Sequence, residues 1–309
     1  AGLDTLGVRA PRQHRSGWLT VIGVVFALGL GAAGMVWGFA IGLGVTLIGM
    51  TGRVLATFPH PVIRPLEGLG AIAAGLVTYR HLAVGSLLGT AAVWIDKWIF
   101  WFSAASETVE GGLVHAPLYD SAMFIASLII IPSLAAFVVK LETDFFERYQ
   151  HYYATIQSHG TYGQIEVARR DLAEYTLDNL VLVTLAQAGL CAILVLTAPL
   201  IVEALNLHFR QIAILRYGAL AAVFQFVFIA ATSMLLFFDR RRVFVVLQAL
   251  FLATNVGLTL FTASLGEDTY GVGYFLACLL ASFVAYRLAD ATFDKLNFLT
   301  FIGNNPSIL

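Results

Sequence analysis

The chain has 309 residues, of which 59% are hydrophobic and only 12% are charged, and its mean hydropathy is +0.82. Soluble domains carry about 25% charged residues, so this composition excludes an ordinary soluble domain and predicts an all-α polytopic membrane protein. A formal net charge of −1 offers no basic surface for nucleic acid. The sequence contains no phosphate-binding glycine loop, no nucleophile elbow and no histidine pair with metal-site spacing, so we predict no enzyme activity, no cofactor and no metal.

The chain opens with a polar segment, residues 1–16, which carries three arginines but no signal-peptide pattern. From this start we expect the chain to be the later part of a longer protein. Residues 17–140 are then predicted to form four transmembrane helices. The first apolar block, Trp18–Phe58, is about twice the ~20 residues that one such helix needs, so it is predicted to form two helices with a tight turn at Gly31–Gly34.

A segment near 59–80 interrupts these four helices. It begins with three prolines within Pro59–Pro65 and continues as a short, glycine-rich apolar stretch, Leu66–Tyr79. We predict that this stretch lies at the membrane interface or re-enters the membrane. The third and fourth transmembrane helices follow, near Leu82–Phe102 and Leu118–Lys140.

A polar excursion, residues 141–178, separates the two halves of the chain. Apolar and aromatic residues recur in it at helical spacing and Ser158–Gly160 interrupts the pattern, so we predict a cytoplasmic helical hairpin. Its aromatic face could lie on lipid headgroups, on its partner helix or on another subunit. Residues 179–290 are predicted to form four more transmembrane helices, which brings the total to about eight, and residues 291–309 a cytoplasmic tail.

Basic residues alternate between the predicted connections. The connections 103–117, 202–211 and 266–269 contain one basic residue, Arg210, whereas the alternate connections, the N-terminal segment and the tail hold most of the others. Basic loops of inner-membrane proteins face the cytoplasm. We therefore predict a multi-pass protein of the bacterial inner membrane with both termini of this chain in the cytoplasm.

Charged residues inside a transmembrane helix are costly and usually face the bundle interior or a water-filled cavity. Asp96 and Lys97 lie within the third predicted helix. Adjacent helical side chains point about 100° apart, so we expect no good ion pair between them, and a partner on another helix, or water, for at least one. Both are candidates for a transport path. The alternative is a structural ion pair between helices, or a Lys97 side chain that reaches towards the interface.

Glu142 and Asp144 are the second pair of candidates, where the fourth predicted helix meets the cytoplasm. At the mouth of a path, two carboxylates would attract a cation or a cationic sugar. The alternative is that they are solvated charges at a helix end.

Five strings of the sequence are long and unusual. They are, in chain order, Trp94–Phe102, Pro117–Phe124, Leu141–Gln150, Phe237–Arg241 and Tyr270–Tyr274. Together they resemble the Pel exopolysaccharide inner-membrane transporter family (PelG). The similarity runs from about Trp18 to near the C-terminus. It implies a fold like that of the MATE/polysaccharide-flippase superfamily, with twelve helices in two bundles around a central cavity. The chain would supply the later part of that fold, without the first four helices.

The resemblance also implies a function and partners. The family is taken to move the Pel polymer, a partly deacetylated amino-sugar polysaccharide of the biofilm matrix, across the inner membrane for secretion. The implied partners are a cytoplasmic glycosyltransferase that uses a UDP-sugar, the other Pel membrane and periplasmic subunits, the nascent polysaccharide and the lipid bilayer. The hairpin would then contact the glycosyltransferase, and its candidate contact residues are Phe145, Tyr149, Tyr152, Arg169 and Arg170.

The leading hypothesis is a secretion transporter in which Asp96, Glu142 and Asp144 contact cationic sugar, because a carboxylate in a partly desolvated channel attracts an ammonium group more strongly than one in water does. A second hypothesis is a non-transporting membrane scaffold that recruits and activates the glycosyltransferase. A third is an exporter of drugs or lipid-linked precursors from the same superfamily.

Overall fold

A computed structural model describes residues 31–57, 65–108, 112 and 114–303 of the chain. The predicted N-terminal segment, the first predicted transmembrane helix and the end of the tail lie outside these residues. The chain divides into two compact units, residues 1–74 and residues 75–309.

The described residues are almost entirely helical. The helices are α1 (Gly31–Thr57), α2 (Pro65–Thr78), α3 (Arg80–Trp101), α4 (Pro117–Leu128), α5 (Ile131–Lys140), α6 (Phe146–Gln157), α7 (Tyr162–Ala204), α8 (Gln211–Phe237), α9 (Arg241–Ala263) and α10 (Val272–Asp294). Shorter elements are a π-helical turn (Leu141–Phe145), a 3₁₀ turn (Glu267–Thr269), two final helical turns (Leu296–Phe298 and Leu299–Gly303) and a pair of antiparallel two-residue strands (Glu107–Thr108 and Val114–His115).

Seven helical stretches of the described chain are long and apolar enough to cross a membrane. They are α1, α3, the stretch from α4 to α6, α7, α8, α9 and the stretch that ends with α10. This confirms the predicted all-α polytopic class. Of the eight predicted transmembrane helices, only the first falls outside the residues that the structure describes.

The tight turn predicted at Gly31–Gly34 is wrong. α1 begins at Gly31 and continues to Thr57, so all four residues are helical. Glycine and alanine are common inside membrane helices, because hydrocarbon offers the backbone no hydrogen-bonding partner except its own helical turns. A glycine-rich stretch is therefore a weaker sign of a turn in lipid than in water.

The stretch from α4 to α6 is interrupted rather than continuous. α4 ends at Leu128, and α5 begins at Ile131 with Pro132 in its first turn, where the missing N–H of proline costs no intrahelical hydrogen bond. The break separates two environments. Tyr119 of α4 is buried in one hydrophobic cluster, and Phe137 of α5 is buried in another.

α7 is much longer than a bilayer requires. Its 43 residues span about 65 Å, whereas the hydrocarbon core is ~30 Å thick. Charged residues crowd the stretch Glu166–Asp178, and none follows until Glu203. The charged first part of α7, together with α6, therefore extends beyond the hydrocarbon.

α6 and the first part of α7 form a helical hairpin. The turn between them contains His159, with a positive φ of 61°, and ends at Thr161, whose hydroxyl and backbone N–H exchange hydrogen bonds with Gln164 in a capping box. An ion pair of 3.3 Å joins Arg148 of α6 to Asp171 of α7. The hairpin is thus closed at its turn and paired across its helices.

The second unit has two chemically different ends. At one end Arg210 pairs with Glu267, and the connection after α3 carries Glu107. At the other end the hairpin meets the C-terminal part of the unit: Arg169 donates to the carbonyl oxygen of Phe293 in the last turn of α10 at 3.0 Å, and Asn297, after α10, donates to Glu166 at 3.0 Å. The turn Arg240–Arg242 lies at the same end, because the Phe238 ring just before it packs against the Phe293 ring. We call the second of these the basic end, because most of the unit's Lys and Arg residues lie there.

Two glycines bring α3 close to α9. A Cβ atom at Gly85 would lie 2.4 Å from the ring of Phe244, and one at Gly89 would lie 2.7 Å from the side-chain oxygen of Gln248. The spacing of four residues puts both glycines on one face of α3, the arrangement by which membrane helices approach closely. The first half of α3 therefore packs closely against α9.

Candidate functional site

Asp96 lies near the C-terminal end of α3 and is completely buried. Its carboxylate accepts a hydrogen bond of 2.7 Å from the Tyr119 hydroxyl of α4 and lies 3.1 Å from Nζ of Lys97. Nζ also donates to the carbonyl oxygen of Val93 at 3.1 Å and lies 5.4 Å from the centre of the Tyr274 ring on α10. We call Asp96, Lys97, Tyr119 and Tyr274 the Asp96 cluster.

The expectation that Asp96 and Lys97 would not pair is wrong. Their Cα–Cβ bonds diverge, but the lysine side chain is long enough to fold back over the preceding turn, where Nζ meets both Val93 and the carboxylate. Partners on other helices are present too, namely Tyr119 and Tyr274. The two opposite charges are therefore compensated within the protein, and the Asp96 carboxylate has no exposed surface.

Asp120 is a second carboxylate at this end of the bundle. One of its oxygens accepts hydrogen bonds from the indole N–H of Trp101 at 2.7 Å and from the backbone N–H of Ala116 at 2.9 Å. Asp120 therefore links the last residue of α3 to the start of α4. No group of three or more His, Cys, Asp or Glu residues in the described ranges could hold a metal ion.

Gln211 ties α8 to α4 at the same end. Its side-chain N–H₂ donates to the carbonyl oxygens of Pro117 and Leu118 at 2.9 and 3.1 Å and to the Ser121 hydroxyl at 2.7 Å. Its carbonyl oxygen accepts from the backbone N–H of His208 at 2.9 Å. Gln211 is buried, and its hydrogen bonds are made within the protein.

The structure puts Glu142 and Asp144 on the π-helical turn between α5 and α6. Asp144 is half-buried and accepts a hydrogen bond from the Tyr175 hydroxyl of α7. The guanidinium of Arg148 lies 3.7 Å from the centre of the same Tyr175 ring. Asp144 thus joins the two helices of the hairpin, while the side chain of Glu142 lies outside the described part of the structure.

The five candidates for partner contact differ greatly in accessibility. Phe145 and Tyr152 are buried within the chain itself, and Tyr149 is half-buried between aromatic rings. Arg169 is mostly covered by its contacts with Glu166 and the last turn of α10, whereas the side chain of Arg170 is 66% exposed. The aromatic face of the hairpin therefore packs on its own chain, and Arg170 is the most accessible of the five.

A groove of about 370 Å³ lies between α3, α8 and α9, with a mainly apolar lining that includes several polar side chains. The residues of this α3 groove that carry polar groups or aromatic rings into it include Ser86, Thr90, Trp94, Gln225, Phe228 and Gln248. α3 spans about 33 Å over its 22 residues, close to the thickness of a hydrocarbon core. Thr90 lies midway along it, so the groove lies near the middle of this helix.

The α3 groove was not predicted from the sequence, although the sequence contains signals for it. Ser86 and Thr90 are polar residues four apart in a transmembrane helix, and Gly85 and Gly89 form the small-residue spacing of a helix contact. Gln225 and Gln248 are uncharged amides within apolar helices. Asp96 was predicted as a site residue because it is charged, whereas the polar side chains that line the α3 groove carry uncharged hydroxyl and amide groups.

A comparison with known families gives one match that covers most of the chain. The family described as "PelG: Putative exopolysaccharide Exporter (EPS-E)" matches residues 15–301. No curated protein and no solved structure matches the chain. The matched segment includes the Asp96 cluster, the hairpin and the α3 groove.

Proposed function

Because the chain belongs to the PelG family, we propose that it is a membrane subunit that exports the Pel amino-sugar exopolysaccharide. The observation that carries the proposal is the family match over residues 15–301, a family described by exopolysaccharide export. The seven apolar helical stretches make the chain a multi-pass membrane protein, which is the setting that such export requires.

A polysaccharide cannot enter hydrocarbon unless its hydroxyl groups keep hydrogen-bonding partners. A path for it must therefore present polar groups at the middle of the bilayer, and the α3 groove does so with hydroxyl and amide side chains. Conduction also favours weak, repeated sites over one tight site. Uncharged hydrogen-bonding groups meet that requirement better than a row of buried charges.

Within this proposal the Asp96 cluster is required for export because it holds α3 in place. Asp96 is tied to α4 through Tyr119, and Lys97 lies against Tyr274 of α10. The same lysine lies 5.9 Å from the ring centre of Trp94, which lines the groove. Asp96 and Lys97 therefore act on the path through the position of α3.

Glu142 and Asp144 are proposed to attract cationic sugar at the opening of the path. They follow α5 at the basic end, at the start of residues 141–178, which carry seven Asp or Glu residues and three Arg residues. This local excess of negative charge would attract a cationic sugar. Asp144 already accepts a hydrogen bond from Tyr175, so the proposal expects sugar contact by its remaining acceptor positions.

We also propose that the basic end faces the cytoplasm and that the membrane is the bacterial inner membrane. Support comes from the charge difference between the two ends, since Lys and Arg concentrate on the cytoplasmic side of inner-membrane proteins. Both termini of this chain would then lie in the cytoplasm. A cytoplasmic glycosyltransferase that uses a UDP-sugar is the proposed partner of the hairpin there, with Arg170 as the accessible contact. Other Pel membrane and periplasmic subunits are proposed to complete the complex.

The test is a transport measurement in sealed vesicles. The complex with its glycosyltransferase is reconstituted into liposomes and supplied outside with UDP-sugar, and polymer is then digested from outside with a glycoside hydrolase. Export predicts a fraction of new polymer that is protected in the lumen until detergent is added. If polymer is made but remains fully digestible, the chain is a scaffold for the glycosyltransferase and the export proposal is wrong.

A further inference from the structure

The α3 groove contains hydrogen-bonding capacity that the described chain does not use. Gln248 is only 7% exposed, yet its side-chain amide makes no hydrogen bond to any described residue. Gln225 is partly exposed, and its amide likewise makes no hydrogen bond to a described residue. An unpartnered amide at low exposure is costly, and bulk water is absent near the middle of a bilayer. The two glutamines therefore point to a ligand that supplies their partners.

α3 adds a regular row of groups to the same groove. Ser86, Thr90 and Trp94 follow one another every four residues, so they stand on one face about 6 Å apart. Ser86 offers a hydroxyl group, and the Thr90 hydroxyl, which donates to the carbonyl oxygen of Ser86 at 2.9 Å, can still accept a hydrogen bond. Trp94 is 45% exposed. Hydroxyl and amide groups suit the hydroxyl edge of a sugar, and an exposed indole suits the apolar face of a pyranose ring.

The charge and size of the groove narrow the class of ligand. No charged side chain of the described residues lines it, so a cationic sugar would lose hydration there without gaining an opposite charge. An uncharged sugar would exchange water for amide and hydroxyl partners. The volume of about 370 Å³ lies at the small end of the range of about 300–1,000 Å³ for ligand sites, which fits a short stretch of polymer.

We propose that the α3 groove is a subsite for an uncharged pyranose unit of the exported polymer, hydrogen-bonded by Gln225 and Gln248 and stacked on Trp94. The proposal rests on the proposed export function and adds to it the place of contact and the preference for uncharged over cationic sugar. It also separates the sugar-binding groups from Asp96, which has no exposed surface.

The first experiment measures binding to the full chain in detergent by isothermal titration calorimetry. The probes are the tetramer of N-acetylglucosamine and the same tetramer after removal of its acetyl groups. We expect the acetylated tetramer to bind at least roughly tenfold more tightly than the cationic one. No binding of the acetylated tetramer, or equal or tighter binding of the cationic one, overturns the proposal.

The variant Gln248→Met separates a ligand-binding role from a structural one. Methionine fills a similar volume without hydrogen-bonding groups, so acetylated-tetramer affinity should fall roughly 3- to 10-fold. The melting temperature should stay the same or rise, because the lost amide has no protein partner among the described residues. Unchanged affinity, or a loss of affinity that only accompanies a lower melting temperature, contradicts the assignment of Gln248.

Two phenylalanine variants test whether the polymer passes through the groove during transport. Ser86→Phe places a ring in the groove, whereas Leu87→Phe places the same ring at the next position, where the native side chain is 71% exposed and does not line the groove. In the vesicle assay we expect Ser86→Phe to reduce protected polymer at least roughly tenfold, and Leu87→Phe to leave it unchanged. Equal export by both variants removes the groove from the path while export itself stands. Absence of protected polymer with the unsubstituted chain instead counts against the export function.

Discussion

The two polar regions on α3 are built on opposite principles. The Asp96 cluster contains full charges whose hydrogen bonds and ion pair are all made within the protein. The α3 groove begins at Trp94, about half a turn from Asp96, and extends to Gly85, about three turns away. Among the described residues it is lined by no charged side chain, and its two glutamine side chains have no hydrogen-bonding partner. One region is complete without a ligand, and the other is not.

This difference shows why charge alone is a poor guide to a transport path. A charge buried in a membrane protein must be compensated, and a compensated charge with no exposed surface has nothing left to offer a substrate. An uncharged amide can remain partly unpaired at a lower cost. The capacity to bind therefore lies where compensation within the protein is least complete.

The largest effect on stability is expected from Asp96→Ala. The substitution leaves the Lys97 ammonium without its counter-charge and the Tyr119 hydroxyl without its acceptor. Breaking one side of a buried ion pair costs about 3–5 kcal/mol. We expect a much lower melting temperature in detergent and little assembled protein in the membrane.

A double substitution provides the control for this prediction. Asp96→Asn combined with Lys97→Met removes both charges but keeps an acceptor for Tyr119, so most of the stability should return. If the cluster only positions α3, export should return with it. A stable double variant that still fails to export would show that the carboxylate itself contacts the polymer.

The next largest effect on stability is expected from Gln211→Met, with Gln248→Met as its control. Gln211→Met removes a side chain with donors and an acceptor in use, at a cost of about 1–3 kcal/mol, whereas Gln248→Met removes an amide without a protein partner. Thermal unfolding of the two variants in parallel should therefore lower the melting temperature for Gln211 only. A comparable loss at Gln248 would show that the groove is part of the structural network after all.

The contact between α3 and α9 is expected to respond to a single methyl group. Gly85→Ala would bring a Cβ to 2.4 Å from the Phe244 ring, which forces the helices or the ring to move at a cost of about 1–2 kcal/mol. Gly257→Ala on α9 meets nothing within 4 Å and should instead stabilise by roughly 0.5–1 kcal/mol, because alanine is the better helix former. Opposite shifts in melting temperature are the expected result, and shifts of the same sign would contradict the close contact.

Much of the fold follows from local sequence properties, and the exceptions have physical reasons. Hydropathy over ~20 residues is a local sum, so α3, α8, α9, α10 and the second part of α7 fall where apolar stretches predict them. α6 and the first part of α7 follow instead from the helical spacing of apolar and aromatic residues in a polar stretch. The turn at Gly31–Gly34 was wrong because glycine signals a turn only where water can satisfy the freed backbone. The interruption between α4 and α5 depends on Pro132 and on the separate clusters that receive Tyr119 and Phe137.

The candidate site was less predictable because it is formed between helices. The sequence identified Asp96 and Lys97 as costly residues, but it could not show that the lysine folds back or that Tyr119 supplies a hydrogen bond from α4. The α3 groove depends on which faces of α3, α8 and α9 meet. Only the spacing of Gly85 and Gly89 gave a local sign of that contact.

The smallest effect on stability is expected from substitutions of two tryptophans. They test whether the α3 groove, unlike the Asp96 cluster, binds the polymer. Trp94 and Trp98 are both partly exposed, but Trp94 alone of the two lines the α3 groove. Trp94→Leu and Trp98→Leu should each change the free energy of unfolding by less than about 0.5 kcal/mol, as partly exposed substitutions usually do. Protected polymer in vesicles should fall roughly fivefold for Trp94→Leu, since a stacking surface is lost, and should stay level for Trp98→Leu. Equal losses would mean that both rings serve only to anchor α3 at its depth in the bilayer, and the distinction between a structural and a binding region of this helix would then not hold.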